Sequence, residues 1–326
     1  MATLNIRQDE SSSVQATGEL SFVSRFAPSP SGRMHAGNIF SALVSWLLAK
    51  RSGGKVVLRI EDLDAARSKP ELASQLMRDF ENLGLSWDEG PFYQAGRQDI
   101  YRSAFESLKQ QGLVYPCFCT RADLHAASAP HAGERSIYAG TCRMLDEASR
   151  ERKAKELAQQ HRAPSHRILC PDEEYALTDL FQGHFSQNLA HNCGDFVIQR
   201  SDGAFAYQLA VVIDDAEQGI NCVCRGVDLL SSTPQQLYLQ SLLALPHPHY
   251  AHVPLFMGTD GHRLSKRHAD ANLEQLLVRF KSPQAIIGHI AFLAGVIDSD
   301  EPQSPEELLS TAHLEALNGK KEIVWR

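Results

Sequence analysis

The stretch FVSRFAPSPSGRMHAGN, residues 22–38, decides the fold class of this chain. Phe22–Ala27 is apolar enough to predict a short strand, and the proline- and glycine-rich residues 28–32 end it. The apolar stripe within residues 38–50 then predicts a helix. A strand that passes through a tight turn into a helix is typical of the first unit of a parallel α/β sheet, where ligands collect at the carboxyl end of the strand.

The residues that follow repeat this unit. A Gly53-Gly54 turn leads into a predicted strand at Lys55–Ile60. A helix is predicted at Pro70–Leu83, with proline in its first turn. Alternating strands and helices predict an α/β fold with a Rossmann-type parallel sheet and right-handed crossovers.

The pattern changes after residue 114. Cysteines, an alanine- and glycine-rich loop and a charged helix near residues 144–161 predict an inserted subdomain. Apolar strand signals return at Phe196–Gln199, Phe205–Ile213 and Ile220–Cys224, and a helix is predicted at Thr233–Leu245. The predicted division is a disordered extension at 1–20, the first half of the catalytic domain at 21–114, the insert at 115–194, the second half at 195–267, and a short helical C-terminal region at 268–326.

The composition excludes several classes of protein. The net charge of −7 means that any RNA contact must come from a local basic surface rather than from the field of the whole molecule. The sequence has no run of about 18 apolar residues, so neither a transmembrane helix nor a membrane partner is expected. The polar first twenty residues do not form a secretory signal, and seven cysteines without one predict a reducing, cytoplasmic location. A monomer is expected.

Two separated elements predict a nucleotide site. In the first, His35 can donate a hydrogen bond to a phosphate oxygen, and Gly37 lets the helix start approach that anion closely. In the second, the basic loop GHRLSKR at 261–267 carries Lys266, a cation that can stabilise charge in phosphoryl transfer. Either element alone also fits a surface turn or a solvated basic loop, so the prediction depends on finding both in this order.

Together the two elements resemble the signatures of the class I aminoacyl-tRNA synthetases. HAGN at 35–38 stands where that family carries HIGH, and RLSKR at 263–267 stands where it carries KMSKS. Asn38 replaces the final histidine of the first signature, while Arg263 and Leu264 replace the lysine and the methionine that open the second. The resemblance implies catalytic roles for His35 and Lys266, and ATP binding with Mg²⁺ by His35, Gly37, Asn38 and Lys266.

Two further motifs, RFAPSP at 25–30 and RIEDLD at 59–64, resemble those of the glutamyl-tRNA synthetases in particular. An arginine fork is the best protein partner for the side-chain carboxylate of glutamate, which makes Arg25 the candidate for that contact. Glu61 can hold the substrate ammonium group. The resemblance implies a glutamate site formed by Arg25, Phe26, Ala27, Pro28, Ser29, Glu61, Tyr207 and Arg225. Asp228 is similar to a position near the nucleotide.

Two of these residues also have simpler interpretations. The charged segment 59–64 fits a strand-to-loop cap, and Tyr207 fits an aromatic residue packed within a sheet.

Three cysteines predict a metal site in the insert. Cys117 and Cys119 stand two apart in an extended segment, so both thiols can face one ion, and Cys142 would be a third ligand. Tyr138 would be an unusual fourth ligand, because a free phenol has a pKa of about 10. His125 and His131 are the alternatives for that position, and three reduced cysteines without a metal are the alternative to the site itself.

The spacing of these ligands, C-x-C followed by Y-x₃-C, resembles the zinc site of the glutamyl-Q tRNA(Asp) synthetases. These are truncated paralogues that attach glutamate to the queuosine base of tRNA(Asp). The resemblance implies that the insert is a zinc-bearing, acceptor-binding subdomain with Cys117, Cys119, Tyr138 and Cys142 as ligands. After Arg267 the sequence has 59 residues, fewer than the roughly 100 of a typical domain, so no anticodon-binding domain is expected.

The leading hypothesis is therefore an enzyme that activates L-glutamate with ATP and transfers it to queuosine in the anticodon of tRNA(Asp). One alternative is a minimal glutamyl-tRNA synthetase that charges the 3′ end of tRNA(Glu). A non-catalytic tRNA-binding paralogue is another alternative, and an adenylate-forming ligase with a small-molecule acceptor is a third.

Overall fold

A computed structural model describes residues 20–64, 66–120, 123, 137–264 and 271–326. The extension predicted at 1–20 lies outside these residues except for its last position, and so do Lys266, His125 and His131. The strands are β1 Val23–Phe26, β2 Lys55–Ile60, β3 Glu89–Tyr93, β4 Val114–Cys117, β5 Ser165–Ile168, β6 Glu174–Asp179, β7 Gly183–Asn188, β8 Phe196–Gln199, β9 Cys222–Gly226, β10 His249–Val253, β11 Leu255–Met257 and β12 Glu322–Val324. The helices are α1 Ala36–Arg51, α2 Pro70–Asn82, α3 Gln98–Gln110, α4 Glu147–Gln159, α5 Leu189–Asn192, α6 Tyr207–Glu217, α7 Thr233–Leu242, α8 Leu273–Phe280, α9 Pro283–Ala294 and α10 Pro305–Thr311.

The predicted parallel sheet is confirmed. β1 pairs in parallel with β2, and β2 pairs in parallel with β3. β9 pairs in parallel with β10 and lies beside β1, because the Val23 N–H donates to Asn221 Oδ1 at 2.7 Å and the Asn221 N–H donates to Val23 O at 3.1 Å. The strand order is thus β3-β2-β1-β9-β10. Since the chain leaves β1 in one direction and returns as β9 on its other side, a crevice opens at the carboxyl ends of these two strands.

Helix α1 holds this crevice in place. Its core-facing side chains, Ile39, Phe40, Leu43 and Leu47, are fully buried. Each such side chain contributes about 1.5–3 kcal/mol by leaving water. The start of α1 is therefore fixed directly after β1, at the mouth of the crevice.

The region predicted as an insert contains antiparallel pairing. β4, β5 and β8 form one antiparallel sheet, and β6 and β7 form a hairpin. Phe196–Gln199 is a strand as predicted, but it pairs with β5 of the insert rather than resuming the parallel sheet. The side-chain pattern of a four-residue strand does not reveal its partner, which explains this difference.

The strand predicted at Phe205–Ile213 is wrong. Tyr207–Glu217 forms helix α6, whose residues 209–215 are all buried. A helix that is buried on every side loses the polar stripe that marks a surface helix, so its valines and isoleucine imitate a core strand. Tyr207 consequently lies in the first turn of a helix, and the interpretation of Tyr207 as an aromatic residue within a sheet is wrong.

The C-terminal region is largely helical, as predicted, and is joined to helix α1. The Arg51 guanidinium at the end of α1 donates to the carbonyls of Leu308 at 2.8 Å and Ala312 at 2.6 Å. The region also contains a strand that the sequence did not predict, β12, which pairs in parallel with β11. Within the described residues, no helix has the length and apolar character needed to cross a bilayer.

Candidate active site and metal site

A cavity of about 680 Å³ lies at the carboxyl ends of β1 and β9. Nearly every residue predicted to bind glutamate or ATP lines it, the exception being Lys266, which falls outside the described residues. The predicted residues that line it are Arg25, Phe26, Ala27, Pro28, Ser29, His35, Gly37, Asn38, Glu61, Tyr207 and Arg225. The structure therefore brings together, in one crevice, residues that are up to 200 positions apart in the sequence.

His35 caps the start of helix α1. Its Nδ1 accepts a hydrogen bond from the Gly37 N–H at 3.1 Å, while Asn38 Oδ1 accepts from the His35 N–H at 3.2 Å. Because Nδ1 is an acceptor, the proton of the neutral ring is on Nε2, the donor that a phosphate oxygen would need. The reciprocal bond with Asn38 completes a capping box at this helix start.

Gly37 serves this cap sterically. A Cβ at position 37 would lie 3.1 Å from Cε1 of His35, closer than side-chain contacts normally come. The glycine therefore leaves room for the imidazole to fold over the helix start.

Arg25 is fixed on the floor of the cavity. Its side chain is only 4% exposed, and Nη1 donates to the Cys224 carbonyl at 2.9 Å. Nε lies 3.4 Å from Asp215 Oδ1. A guanidinium held on two sides in this way is oriented before any carboxylate arrives, which reduces the entropy cost of binding.

A buried ion network supports Arg25 from behind. Arg59 is fully buried, and its Nη1 donates to the same Asp215 oxygen at 2.7 Å, while its Nη2 lies 3.4 Å from Glu61 Oε1. Burial alone would lower the pKa of Arg59, but Asp215, Glu61 and Asp214 outweigh it and raise that pKa. Burial also raises the pKa of Glu61, although Arg59 and Arg25 act in the opposite direction. The network joins the two candidate glutamate contacts, Arg25 and Glu61, through Arg59 and Asp215.

Arg225 and Tyr207 also line this cavity and lie next to each other. Arg225 Nη1 lies 3.5 Å from the Tyr207 hydroxyl, and Arg225 is 5% exposed. Burial raises the pKa of Tyr207, so its phenol remains protonated at neutral pH and can donate a hydrogen bond.

The described residues on both sides of the Lys266 loop lie at this site. Leu264 lines the cavity, and Arg263 forms an ion pair with Asp228. After the loop, Asn272 forms a β-bridge with His35, and the Leu273 N–H donates to the Met34 carbonyl at 2.9 Å. The described chain is thus at the cavity at Leu264 and resumes beside the start of α1 at Asn272.

Sequence reasoning missed the residues behind the cavity wall. Asp214 and Asp215 could have been found from the sequence, because two carboxylates at the end of an apolar run indicate buried ion pairs with cationic partners. Asp179 and His252, which contact each other behind Arg225, gave no such signal, because neither belongs to a motif.

The three predicted cysteines converge. The sulfur atoms of Cys117, Cys119 and Cys142 lie within 4.8 Å of one another. The Tyr138 hydroxyl lies 3.5 Å from Cys117 Sγ and 3.8 Å from Cys119 Sγ. Three thiols and a phenol around one point fit a tetrahedral metal site, so the cluster can hold a metal ion.

The surroundings of the cluster favour a thiolate at Cys117, whereas burial raises the pKa of Cys119 and the hydrogen bond with Cys117 raises the pKa of Cys142. The Phe118 N–H donates to Cys142 Sγ at 3.3 Å, and Arg167 Nε donates to Cys117 Sγ at 3.2 Å. A hydrogen bond from Cys142 contributes most to lowering the pKa of Cys117. The Arg167 guanidinium also lies 3.8 Å from the centre of the Tyr138 ring, where it stacks as a cation on the aromatic face.

Tyr138 is placed by a glycine. It forms a β-bridge with Gly194, whose φ is +68°, and a Cβ at position 194 would lie 2.7 Å from the Tyr138 carbonyl oxygen. The Tyr138 hydroxyl accepts a hydrogen bond from the Cys142 N–H at 2.8 Å. The phenol is thus held against the cysteines by backbone contacts, while His125 and His131 lie outside the described residues.

Removing one thiol should remove the metal. We expect wild-type protein purified without added metal to contain roughly one zinc ion per chain, and Cys117→Ser to contain far less, because a hydroxyl is a poor zinc ligand. Elemental analysis by mass spectrometry measures this. Cys193→Ser, outside the cluster, is the matched control and should keep its zinc. Equal zinc in Cys117→Ser and wild type would refute the ligand assignment.

Comparison with known proteins gives a consistent result. Residues 21–304 match the family model of the class I tRNA synthetases (E and Q), catalytic domain. The chain is 48% identical to the glutamyl-Q tRNA(Asp) synthetase of Symbiobacterium thermophilum, over 87% of this chain and 90% of that protein. It is 44% identical to the protein of the same name from Nitratidesulfovibrio vulgaris, over 89% of this chain and 92% of that protein.

A solved structure agrees with these relatives. The crystal structure of a glutamate tRNA ligase from Elizabethkingia meningosepticum superposes with a TM-score of 0.77 at 26% identity, covering 94% of this chain and 67% of that one. The fold therefore agrees with the sequence comparisons. The chain belongs to the class I tRNA synthetases of the glutamate and glutamine group, among the glutamyl-Q tRNA(Asp) synthetases.

Proposed function

We propose that this enzyme activates L-glutamate with ATP to glutamyl-adenylate and transfers the glutamate to the queuosine base in the anticodon of tRNA(Asp). Family membership supports ATP, glutamate and tRNA as its partners. One observation carries the activation step: Arg25, Arg225 and Glu61 line the same cavity as the His35-capped start of α1. Groups that suit two carboxylates and an ammonium therefore stand beside an anion-binding helix start.

Activation needs no general base. The α-carboxylate of glutamate is ionised at pH 7, and its oxygen can attack the α-phosphorus of ATP directly. A carboxyl–phosphorus bond forms, the bond to the β-phosphate oxygen breaks, and pyrophosphate leaves with the electron pair. In this proposal His35 Nε2, the helix start and Lys266 stabilise the charge on the phosphates. Mg²⁺ bound to ATP would neutralise part of that charge.

The substrate would be held by side chains whose charges are opposite to those of its own groups. Arg25 would bind the side-chain carboxylate through its fork, while Arg225 and Tyr207 would complete the recognition of the two carboxylates. Glu61 would accept hydrogen bonds from the ammonium group. A neutral side-chain amide at the same position would lack the charge that Arg25 is placed to meet, which favours glutamate over glutamine.

The metal site would have a structural role. Cys117, Cys119, Cys142 and Tyr138 would hold zinc, which would fasten the end of β4 to residues 138–142 of the insert. The insert would then present a stable surface to the tRNA acceptor. In this proposal the enzyme acts as a cytoplasmic monomer.

The names of the relatives favour queuosine as the acceptor over the 3′ end of tRNA(Glu). In the transfer step, a hydroxyl oxygen of the modified base would attack the carbonyl carbon of glutamyl-adenylate. AMP would leave, and the hydroxyl proton would be released. The product is an ester.

Pyrophosphate exchange tests the activation step. We expect labelled pyrophosphate to enter ATP when L-glutamate is present, and to enter at least about a hundredfold more slowly with L-glutamine, because only glutamate carries the second carboxylate. The assay is run with and without tRNA. Absence of exchange in both cases, with pure and folded protein, would instead support a tRNA-binding paralogue without activity.

A further inference from the structure

Arg225 differs from Arg25 in how its charge is balanced. Arg25 has a carboxylate neighbour in Asp215, whereas within the described residues no carboxylate oxygen lies within ion-pair distance of Arg225. Its Nε donates instead to His252 Nε2 at 3.0 Å, and its Nη2 donates to Thr233 Oγ1 at 2.9 Å. Two of its three nitrogens are thus held by neutral acceptors, and the third, Nη1, lies beside Tyr207 at the cavity.

His252 connects Arg225 to a carboxylate further back. The side chain of His252, on β10, is fully buried, and its Nδ1 lies 2.6 Å from Asp179 Oδ2. The His252 backbone N–H donates to both oxygens of the same carboxylate, at 3.1 Å each. Asp179 is at the end of β6, and its Oδ1 also accepts from the backbone N–H groups of Phe181 at 3.0 Å and Gln182 at 2.9 Å.

These contacts determine the tautomer of the imidazole. A carboxylate oxygen can only accept, so His252 Nδ1 carries a proton; a guanidinium N–H can only donate, so Nε2 carries a lone pair. Burial lowers the pKa of His252, although Asp179 acts in the opposite direction. The ring is therefore neutral at pH 7, with Nδ1 protonated. A proton on Nε2 would set two donors against each other at a distance of 3.0 Å.

We propose that Asp179 and His252 are positioning residues for glutamate recognition: Asp179 fixes the tautomer of His252, and His252 Nε2 holds Arg225 so that Nη1 and Tyr207 together meet a substrate carboxylate. This inference rests on the proposed function. Asp179 balances the charge of Arg225 only through the imidazole, so the guanidinium remains available to an anionic substrate.

The geometry of amide side chains gives a sharp test. In His252→Asn, the amide nitrogen can replace Nδ1 as the donor to Asp179, but the acceptor for Arg225 is lost. In His252→Gln, the amide oxygen reaches the position of Nε2 and can accept from Arg225. We expect His252→Asn to raise the KM for glutamate in ATP–pyrophosphate exchange about tenfold, because a hydrogen bond to a charged group is lost. The KM for ATP should be unchanged, and kcat should change less than about threefold. His252→Gln should restore most of the glutamate KM.

Asp179→Asn is the second variant. Its amide can present a donor to Nδ1 and so favour the wrong tautomer, as substitution of the triad aspartate does in serine proteases. We expect the same selective rise in the glutamate KM. This variant therefore supplies the test if thermal melting shows that His252→Asn is not folded.

Three outcomes would overturn the inference. They are a wild-type glutamate KM in His252→Asn, an equal rise in the KM values of glutamate and ATP, and no rescue by His252→Gln. Failure of the proposed function gives a different result, because wild-type protein would then show no glutamate-dependent exchange at all. An active wild type with unaltered variants would refute only the role of Asp179 and His252.

Discussion

Replacing Arg25 by glutamine should reduce kcat/KM for glutamate in ATP–pyrophosphate exchange by two to three orders of magnitude. Arg25 is 4% exposed and lines the cavity, so a substrate carboxylate placed there would lose a largely buried cation as its partner. Breaking a buried ion pair by removing one partner costs about 3–5 kcal/mol, and the lower part of that range corresponds to two to three orders of magnitude. Arg25→Lys should also be impaired, because an ammonium cannot reproduce the fork that donates to the Cys224 carbonyl and to a substrate together.

The fold should tolerate this change. Asp215, the carboxylate neighbour of Arg25, keeps its 2.7 Å hydrogen bond from Arg59 when Arg25 is lost. Arg102→Gln, which removes an arginine on the exposed side of α3, is the matched control and should retain full exchange. If Arg25→Gln kept more than about a tenth of the wild-type kcat/KM with normal thermal stability, Arg25 would not be the principal carboxylate contact.

The parts of the site that sequence reasoning predicted are those carried by local motifs. Arg25 and His35 flank the turn after β1, and Glu61 follows β2, so a parallel sheet necessarily brings them to one edge. Side chains two residues apart in an extended chain point the same way, which predicts that the thiols of Cys117 and Cys119 lie together. In the structure their sulfur atoms do lie close together. In each case, the spacing within a few residues sets the direction of the side chains.

The parts that could not be predicted depend on contacts between distant segments. Arg59 and Asp215 are 156 positions apart, and Asp179 and His252 are 73 positions apart. Neither pair has a local pattern, because each is created by the packing of strands against α6 or of the insert against β10. The error at Phe205–Ile213 has a related cause, since burial of residues 209–215 on every side of α6 removed the periodicity that distinguishes a helix from a strand.

Removing queuosine from tRNA(Asp) should have the largest effect of any change, because without this acceptor no glutamylated product should form. Labelled glutamate, incubated with ATP and the enzyme, should become attached to tRNA(Asp) that carries queuosine. It should not attach to the same tRNA lacking the modification, because the attacking hydroxyl is then missing. Removing the 3′-terminal adenosine should leave the labelling unchanged. This is the matched control, because it removes the 3′ end as an alternative site for the glutamyl ester.

Mapping the label tests the account most directly. After incubation, the tRNA is cleaved on both sides of the anticodon arm, and the fragments are separated under mildly acidic conditions that preserve the ester. The account predicts labelled glutamate on the anticodon fragment of tRNA(Asp). Label on the 3′ fragment, or on tRNA(Glu) in place of tRNA(Asp), would contradict it.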